Sequence, residues 1–313
     1  MSIRINSFGG PIVWIFRKYC SSITSRIMLK YVANKYSPNT RKYIDWFMRQ
    51  EEAPLFRNVV IETINRCNGK CEFCPANTRD ETRVLKKMSV DMFESIVSQL
   101  EKMKWSGKMF MCANNEPFID KRILMFSRLA KEKIRDVQIV IITNGTLLSI
   151  EKMDEMAGIV DQLIINDYSK KYSLSETHKK IYRYVKNNHE RFKGMRVTIN
   201  RRYSKEILAT RAGMAPNKPK KNVNITAPCI YPFTDFVIFP DGEVGMCCND
   251  CKEITDYGNV NVQSIKEIWC NAKFHALRKS MWGGDRSFPF CRECDVLDAG
   301  EREEYIQEVI SEM

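Results

Sequence analysis

The chain has 313 residues, of which 44% are hydrophobic. This fits one large folded domain with a smaller appendage and excludes a wholly disordered protein. No window reaches the roughly 18 apolar residues of a membrane span, and Arg17 and Lys18 end the short apolar stretch from Pro11 to Phe16, so we expect no signal peptide. Twelve cysteines in such a chain favour metal ligation over disulfides, and we therefore expect a reducing, cytoplasmic location.

The net charge of +12 is unevenly distributed. Residues 1–50 hold nine Lys and Arg against one acidic residue, and residues 168–221 hold sixteen against three. Such segments are either solvated helix faces or contacts for an anionic partner, such as a phosphorylated or nucleotide-linked substrate or a membrane surface. No aromatic stacking motif accompanies them, so we do not expect nucleic acid as a partner.

Residues 1–52 are predicted to form an N-terminal extension of short helices. Ile12 to Phe16, followed by Arg17 and Lys18, combines apolar, aromatic and basic side chains. A segment of this kind packs against the next domain or lies on a membrane surface, and the pattern leaves both open.

From residue 58 onward, predicted strands and helices alternate, which indicates a parallel sheet. The α/β fold class that follows is a partial (β/α) barrel of five to six parallel strands over residues 53–222, open at the carboxyl ends of its strands. The predicted strands are 58–65, 108–112, 138–143, 162–166 and 195–200. The predicted helices are Ser89 to Lys104, Asp120 to Lys133, Ser149 to Met156 and Ser175 to Arg191.

Three cysteines follow the first predicted strand at C-x3-C-x2-C spacing, namely Cys67, Cys71 and Cys74, with Phe73 before the last. Three thiolates on one short loop suit a soft metal or an iron–sulfur centre. Three ligands would leave one iron of a four-iron cluster open to a small molecule. A zinc or simple redox site is the alternative, because C-x2-C is also half of a zinc knuckle.

This motif resembles the signature of the radical S-adenosylmethionine (SAM) enzymes, C-x3-C-x-aromatic-C. The resemblance implies that Cys67, Cys71 and Cys74 hold a [4Fe–4S] cluster whose open iron binds the amino and carboxylate groups of SAM. It also implies that the reduced cluster cleaves SAM to a 5′-deoxyadenosyl radical, which abstracts a hydrogen atom from the substrate.

Two further segments carry the same resemblance. Met111 to Pro117 resembles the family's glycine-glycine-glutamate-proline segment at the SAM amino group, with Asn114 and Asn115 in place of glycines. Thr143 to Thr146 resembles the threonine-asparagine-glycine segment at the SAM ribose. Asn166 ends the next predicted strand and is expected at the barrel mouth. The residues predicted to bind SAM or substrate are Phe73, Asn115, Glu116, Thr143, Asn144 and Asn166.

A second cysteine set lies in residues 223–313. A predicted hairpin, Phe233 to Met246 with a turn at Asp241 and Gly242, and a predicted helix from Ser264 to Lys279 separate its members. Zinc would accept the same four ligands. The segment resembles the shortened SPASM domain called twitch, which implies one auxiliary [4Fe–4S] cluster. The predicted ligands are Cys229, Cys247, Cys291 and Cys294.

Cys248 and Cys251 fall outside this ligand set. They are structural, or one of them replaces Cys247 as a ligand, or one of them donates a hydrogen atom to a radical. We expect Arg211, with Arg201 and Arg202 as the next candidates, to orient a developing alkoxide, since an arginine stays protonated.

The resemblance implies a radical SAM oxidoreductase that converts a carbinol to a ketone and passes one electron to the auxiliary cluster. We expect an anionic sugar, aminocyclitol or nucleotide-linked sugar as substrate, and flavodoxin or ferredoxin as electron donor. The alternatives are a redox-neutral epimerase with Cys248 as hydrogen donor, a peptide maturase, and a non-enzymatic binding module.

Overall fold

The computed structural model describes residues 3–7, 38–77, 83–169, 172–218, 228–296 and 303–312. Its centre is a single eight-stranded sheet. The strands are β1 (Ile3–Ser7), β2 (Asn58–Ile61), β3 (Lys108–Phe110), β4 (Gln138–Thr143), β5 (Gln162–Ser169), β6 (Arg196–Tyr203), β7 (Asp235–Ile238) and β8 (Val244–Gly245). Their order is β1-β6-β5-β4-β3-β2-β7-β8, and every neighbouring pair is parallel except β7 and β8.

Helices connect the parallel strands, as right-handed crossovers between such strands require. The described helices are α1 (residues 38–48), α2 (Val90–Lys102), α3 (Ile123–Lys133), α4 (Ile150–Met156), α5 (Glu176–Asn187), α6 (Tyr231–Thr234), α7 (Ile265–Trp269), α8 (Ala272–Trp282), α9 (Pro289–Arg292) and α10 (Glu303–Glu312). Two short 3-10 turns, Pro75–Asn77 and Pro117–Ile119, follow β2 and β3. None of the described helices has the length and apolarity needed to span a bilayer.

Serine caps set the start of three of these helices. The Oγ atoms of Ser89, Ser149 and Ser175 accept hydrogen bonds from backbone amides in the first turns of α2, α4 and α5. A cap of this kind satisfies one of the amides that have no partner inside the helix. The helix starts predicted at Ser89, Ser149 and Ser175 are thereby confirmed.

The sheet has two faces of different character. On one face, Leu163 and Ile165 of β5 belong to the main core together with helix residues such as Ile181. On the other face, Val60, Val237 and Phe239 form a separate small apolar cluster. Because side chains alternate along a strand, this second cluster lies on the inner face of the curved sheet, below the carboxyl ends of the strands.

The inner face becomes polar toward β1. The Asn6 amide donates to the Asn200 side chain at 3.2 Å, and Asn200 donates to Asn166 Oδ1 at 3.0 Å. The three asparagines are in register across β1, β6 and β5, so they form a hydrogen-bonded ladder. Asn166 therefore shares one face of the sheet with Asn200 and Asn6.

The sheet is wider than predicted. The five predicted strands are confirmed as β2 to β6, but β1 and β7 extend the parallel arrangement to seven strands. The strand Ile3–Ser7 corrects the expectation of a purely helical N-terminal extension; its pairing to β6 offers backbone hydrogen bonds that sequence patterns did not reveal. Cys20 lies outside the described residues. So does the stretch from Ile12 to Phe16, for which the sequence left membrane contact open.

Two predicted elements of the C-terminal part are also corrected. The hairpin is present as β7 and β8, but β7 pairs in parallel with β2 and so joins the main sheet across the predicted boundary at 222/223. The single helix predicted from Ser264 to Lys279 is two helices. Asn271 divides them, because its side chain caps α8 by accepting from the Phe274 amide and also donates to the Tyr257 carbonyl at 2.7 Å.

Candidate active site

The first cysteine loop lies at the carboxyl end of β2. The Gly69 amide donates to Cys67 Sγ at 3.3 Å, and the Cys74 amide donates to the Cys71 carbonyl at 3.0 Å. A Cβ atom on Gly69 would lie 3.4 Å from Cys67 Sγ and 3.8 Å from Cys71 Sγ. Glycine therefore leaves open the space between two of the sulfurs, which fits a loop that wraps around a bound cluster.

Burial makes these thiols hard to ionise. It raises the pKa of Cys67 to about 11 and that of Cys71 to about 12, and the neighbouring sulfurs of the loop add to both shifts. Cationic iron favours the thiolate, so cluster binding would release protons from this loop. In the described part of the chain, no three His, Cys, Asp or Glu side chains group as a mononuclear metal site would require. Each thiolate of a four-iron cluster binds its own iron, so cluster ligation does not need that grouping.

An aromatic and charged group flanks the open side of this loop. The Phe73 ring lies 5.1 Å from the Tyr168 ring, and the Arg202 guanidinium lies 5.6 Å from the centre of Tyr168. Arg202 also pairs with Glu206 at 2.6 Å. The charge of Arg202 lowers the pKa of Cys71, although burial outweighs it.

The turn after β4 is hydrogen-bonded to the cysteine loop. Asn144 Nδ2 donates to the Asn68 side chain at 2.7 Å, and Asn68 Nδ2 donates to Thr146 Oγ1 at 2.9 Å. Asn144 also bonds to the Cys67 sulfur. The structure thus brings the predicted ribose-binding turn directly against the first cysteine site.

Glu116 is hydrogen-bonded to the turn after β4. Its carboxylate is buried and accepts hydrogen bonds from Thr143 Oγ1 at 2.7 Å, from the Asn144 amide at 2.8 Å and from the Phe118 amide at 3.3 Å. Burial raises the pKa of Glu116, and these hydrogen bonds oppose the shift. A carboxylate has about four acceptor positions, and these three contacts use three of them.

The two asparagines that replace glycines in this segment have different surroundings. Asn115 Oδ1 accepts from the Ala113 amide at 3.1 Å, whereas the buried Asn115 Nδ2 has no hydrogen-bond partner in the described structure. A buried donor without a partner is costly, and a carboxylate such as that of SAM would satisfy it. Asn114 turns toward the C-terminal part of the chain.

The four cysteines predicted to hold an auxiliary cluster line one cavity. The other lining residues are largely apolar, and burial raises the pKa of Cys247 and, to about 12, that of Cys291. Arg286 also lines the cavity, and its charge lowers the pKa of both Cys291 and Cys294. Four converging sulfurs in an apolar cavity fit a fully ligated iron–sulfur cluster.

Arg211 lies between the two cysteine sites. Cys74 of the first loop and Cys248 of the C-terminal segment are both near enough to influence its pKa. Burial lowers the pKa of the Arg211 guanidinium, but the neighbouring sulfurs outweigh burial and raise it. The side chain forms no ion pair with a described carboxylate, and its buried Nε has no hydrogen-bond partner there. A buried guanidinium with an unpartnered Nε therefore lies near sulfurs of the first loop and of the C-terminal segment.

Of the other predicted catalytic residues, Cys248 lies near Arg211, whereas Arg201 has different contacts. Arg201 stacks on Tyr172 at 4.8 Å and lies on the strand face opposite Asn200 and Arg202. The Cys248 carbonyl accepts from Asn114 Nδ2 at 3.3 Å, and Cys248 does not line the auxiliary cavity.

Asp167 follows Asn166 in β5 but does not share its surroundings. It faces the helix layer, where its carboxylate contacts His178 Nδ1 at 2.5 Å. Strand alternation is the reason, because neighbouring residues point to opposite faces.

Sequence reasoning missed the roles of Tyr168 and of Cys251, which hydrogen-bonds to Arg211. Tyr168 could have been found, because it is two residues after Asn166 in the same strand and therefore points to the same face. No sequence signal identifies the Cys251 contact.

Comparison with known families agrees with this geometry. The sequence model of the radical SAM superfamily matches residues 61–200 of the chain. The model of the SPASM iron–sulfur cluster-binding domain matches residues 229–295. The chain is therefore a radical SAM enzyme with a SPASM-type domain, and its cofactors are SAM and two [4Fe–4S] clusters.

Several known proteins are similar over most of the chain. S-adenosyl-L-methionine-dependent 2-deoxy-scyllo-inosamine dehydrogenase from Niallia circulans is 23% identical over 254 residues, which are 80% of this chain and 97% of the relative. The crystal structure of BtrN in complex with AdoMet and 2-DOIA has a TM-score of 0.67 and 22% identity over 78% of this chain and 94% of that chain. The structure of Streptococcus suis SuiB has a TM-score of 0.50 and 13% identity over 85% of this chain and 80% of that chain. These structural similarities support the fold.

Proposed function

We propose that the protein oxidises a secondary alcohol of an aminocyclitol or related sugar-like substrate to a ketone. The position of Arg211 carries this proposal: its buried guanidinium has no described carboxylate partner, and it lies near sulfurs of both the first loop and the C-terminal segment. The similarity to a 2-deoxy-scyllo-inosamine dehydrogenase, over 97% of that relative, supports the substrate class.

When bound, the cofactors supply a 5′-deoxyadenosyl radical that removes a hydrogen atom from the carbinol carbon, and an auxiliary cluster that takes up one electron. Conversion of the carbinol to a ketone also requires loss of the hydroxyl proton. Hydrogen atom, proton and electron together account for the two-electron oxidation.

Arg211 is proposed to bind the substrate oxygen. Its Nε–H would donate to the hydroxyl and stabilise negative charge as the proton leaves, because a preorganised cation in a buried site stabilises a developing oxyanion. The guanidinium stays protonated, so water or another base accepts the proton.

The cofactors are proposed to be held by the residues described above. Cys67, Cys71 and Cys74 would ligate the SAM-binding cluster, with Asn115 Nδ2 and Glu116 facing the SAM carboxylate and ammonium. Phe73, Thr143 and Asn144 would line the adenosyl part, and Asn166 would face substrate from the inner asparagine ladder.

The auxiliary site is proposed to use all four cysteines of the cavity. With each iron ligated by protein, that cluster offers no position for substrate and acts as an electron carrier. Flavodoxin or ferredoxin in the cytoplasm is the proposed source of the electron that starts each turnover, and the twelve cysteines favour that reducing compartment.

The test is an anaerobic assay of the reconstituted enzyme with 2-deoxy-scyllo-inosamine, measuring 5′-deoxyadenosine and ketone. We expect the two products in equal amounts. Arg211→Gln should lower ketone formation by about 100-fold with both clusters retained, whereas Arg201→Gln should have a much smaller effect. Formation of an epimer without ketone, or a loss confined to Arg201→Gln, would contradict the proposal.

A further inference from the structure

The Arg211 guanidinium is held by a closed triangle of hydrogen bonds. Arg211 Nη2 donates to Asn114 Oδ1 and to Cys251 Sγ, the latter at 3.0 Å. The Cys251 thiol donates to the same Asn114 Oδ1 at 3.1 Å. Asn114 is fixed in turn, because its Nδ2 donates to the Cys248 carbonyl at 3.3 Å.

The groups that hold the guanidinium are shielded from water. Cys251 is fully buried and Asn114 is 5% exposed, so water cannot replace either partner of the guanidinium. Burial also raises the pKa of Cys251 above the ordinary thiol value, although Arg211 opposes the shift. Cys251 thus orients the guanidinium from a fully buried position.

The backbone of Arg211 is anchored on the opposite side, at the auxiliary cavity. Thr210 Oγ1 donates to the Glu293 carbonyl at 2.6 Å, and the Ala212 amide bonds to the Cys294 sulfur. Arg211 and Ala212 have φ values of +50° and +55°, a left-handed backbone conformation that is unfavourable for residues other than glycine. Such strain persists only where surrounding contacts determine the conformation.

The main chain and the guanidinium of Arg211 are thus attached to different sites. Its main chain is attached to the segment that carries Cys294, and its guanidinium is attached to Asn114 in the SAM-binding segment. Without Asn114 and Cys251, the described contacts of the guanidinium would be lost, and the long side chain would sample several rotamers.

From this geometry we infer that Asn114 and Cys251 are positioning residues, which aim the Arg211 Nε at the substrate oxygen between the two cluster sites. The inference rests on the proposed role of Arg211. A glycine at position 114 has no side-chain amide, so this device depends on the asparagine that stands there in this chain.

The activity arm of the test compares Cys251→Ala and Asn114→Gly with the conservative variant Cys251→Ser in the reconstituted enzyme. With 2-deoxy-scyllo-inosamine as probe, we expect kcat for ketone to fall about 10-fold to 100-fold in the first two variants, because misorientation of a catalytic group is costly. The ratio of 5′-deoxyadenosine to ketone should rise. Cys251→Ser retains a hydroxyl in the triangle and should recover most of the activity.

Cys112→Ala is the matched control. Cys112 is also a buried thiol near Cys248, but it does not contact Arg211, so its removal tests the loss of a buried sulfur alone. Equal losses in Cys112→Ala and Cys251→Ala, or full activity of both Cys251→Ala and Asn114→Gly, would overturn the inference.

A second arm requires no turnover. The Tm of the cluster-loaded protein is measured for Arg211→Gln, Cys251→Ala and the double variant. We expect the double variant to lose about 2 °C less than the sum of the single losses, because directly bonded residues are not additive. Additive losses would overturn the inference whether or not the probe is a substrate. A non-additive cycle in an enzyme that oxidises no probe would support the positioning triangle and refute the proposed function.

Discussion

The two cysteine sites are built in opposite ways. The first uses three cysteines within eight consecutive residues, Cys67 to Cys74, and its loop is partly exposed. The second draws Cys229, Cys247, Cys291 and Cys294 from three separate segments into one largely apolar cavity. A three-cysteine loop leaves an iron for a small molecule, whereas four cysteines complete a cluster that exchanges only electrons.

The surroundings of the two sites differ accordingly. Polar side chains adjoin the first loop, including Asn68, Asn144 and the buried Glu116, and they offer hydrogen bonds to a bound cofactor. Around the second site, Met246, Phe290 and Met281 exclude water, and Arg286 supplies a positive charge near the sulfurs. A substrate-binding cluster needs specific polar contacts, whereas an electron-carrying cluster needs a dry, closed shell.

The largest effect is expected when the three cysteines of the first site are removed. In a Cys67/Cys71/Cys74→Ala triple variant, we expect complete loss of 5′-deoxyadenosine and ketone, with iron falling from about eight to about four atoms per chain. The fold and the second cluster should remain, since the second cavity shares no cysteine with the loop. Iron analysis and electron paramagnetic resonance measure this. Cys270→Ala is the control, because Cys270 is exposed and its loss should change neither quantity.

Removing the second site should have a different result. In a Cys291→Ala/Cys294→Ala variant, we expect SAM cleavage to continue while ketone formation falls by at least about 100-fold, because the electron acceptor is missing. The protein should also lose stability, since metal binding contributes to folding free energy. Assay of both products, together with thermal unfolding, measures the effect. Equal loss of both products would show that the two sites do not have separate roles.

The smallest expected effect concerns the turn after β4, which lies on the polar side of the first site. Gly145 has a φ of +74°, and a Cβ there would lie 2.2 Å from His178 Nε2; Gly158 has a φ of +79° with no atom within 4 Å of such a Cβ. Gly158→Ala should cost about 1–2 kcal/mol in the free energy of unfolding, from backbone strain alone.

Gly145→Ala should cost more than Gly158→Ala, and it should also weaken SAM binding by about 10-fold, because the turn must move away from His178. Urea unfolding and calorimetric titration with SAM measure the two quantities. Equal costs for the two variants, with unchanged SAM affinity, would show that the His178 contact does not support the turn.

Local patterns made much of the fold predictable. The bounds of β4 coincide with the predicted strand 138–143, and serine caps located the starts of α2, α4 and α5. These features depend on hydrogen bonds and side-chain alternation within a few residues, which neighbours in sequence suffice to determine. The positions of β1 and β7 in the sheet were not predictable, because these strands pair with strands that are distant in the chain.

The sequence by itself determined the cysteine loop, its relation to the radical SAM enzymes and the four members of the second cysteine set, since spacing alone carries these features. Only the tertiary structure decided that those four cysteines share a cavity, that Arg211 and not Arg201 lies between the sites, and that Asn114 and Cys251 hold its guanidinium. The physical reason is distance along the chain: Asn114 and Cys251 are separated by 137 positions, and a contact of that range forms only when the barrel and the C-terminal segment pack together.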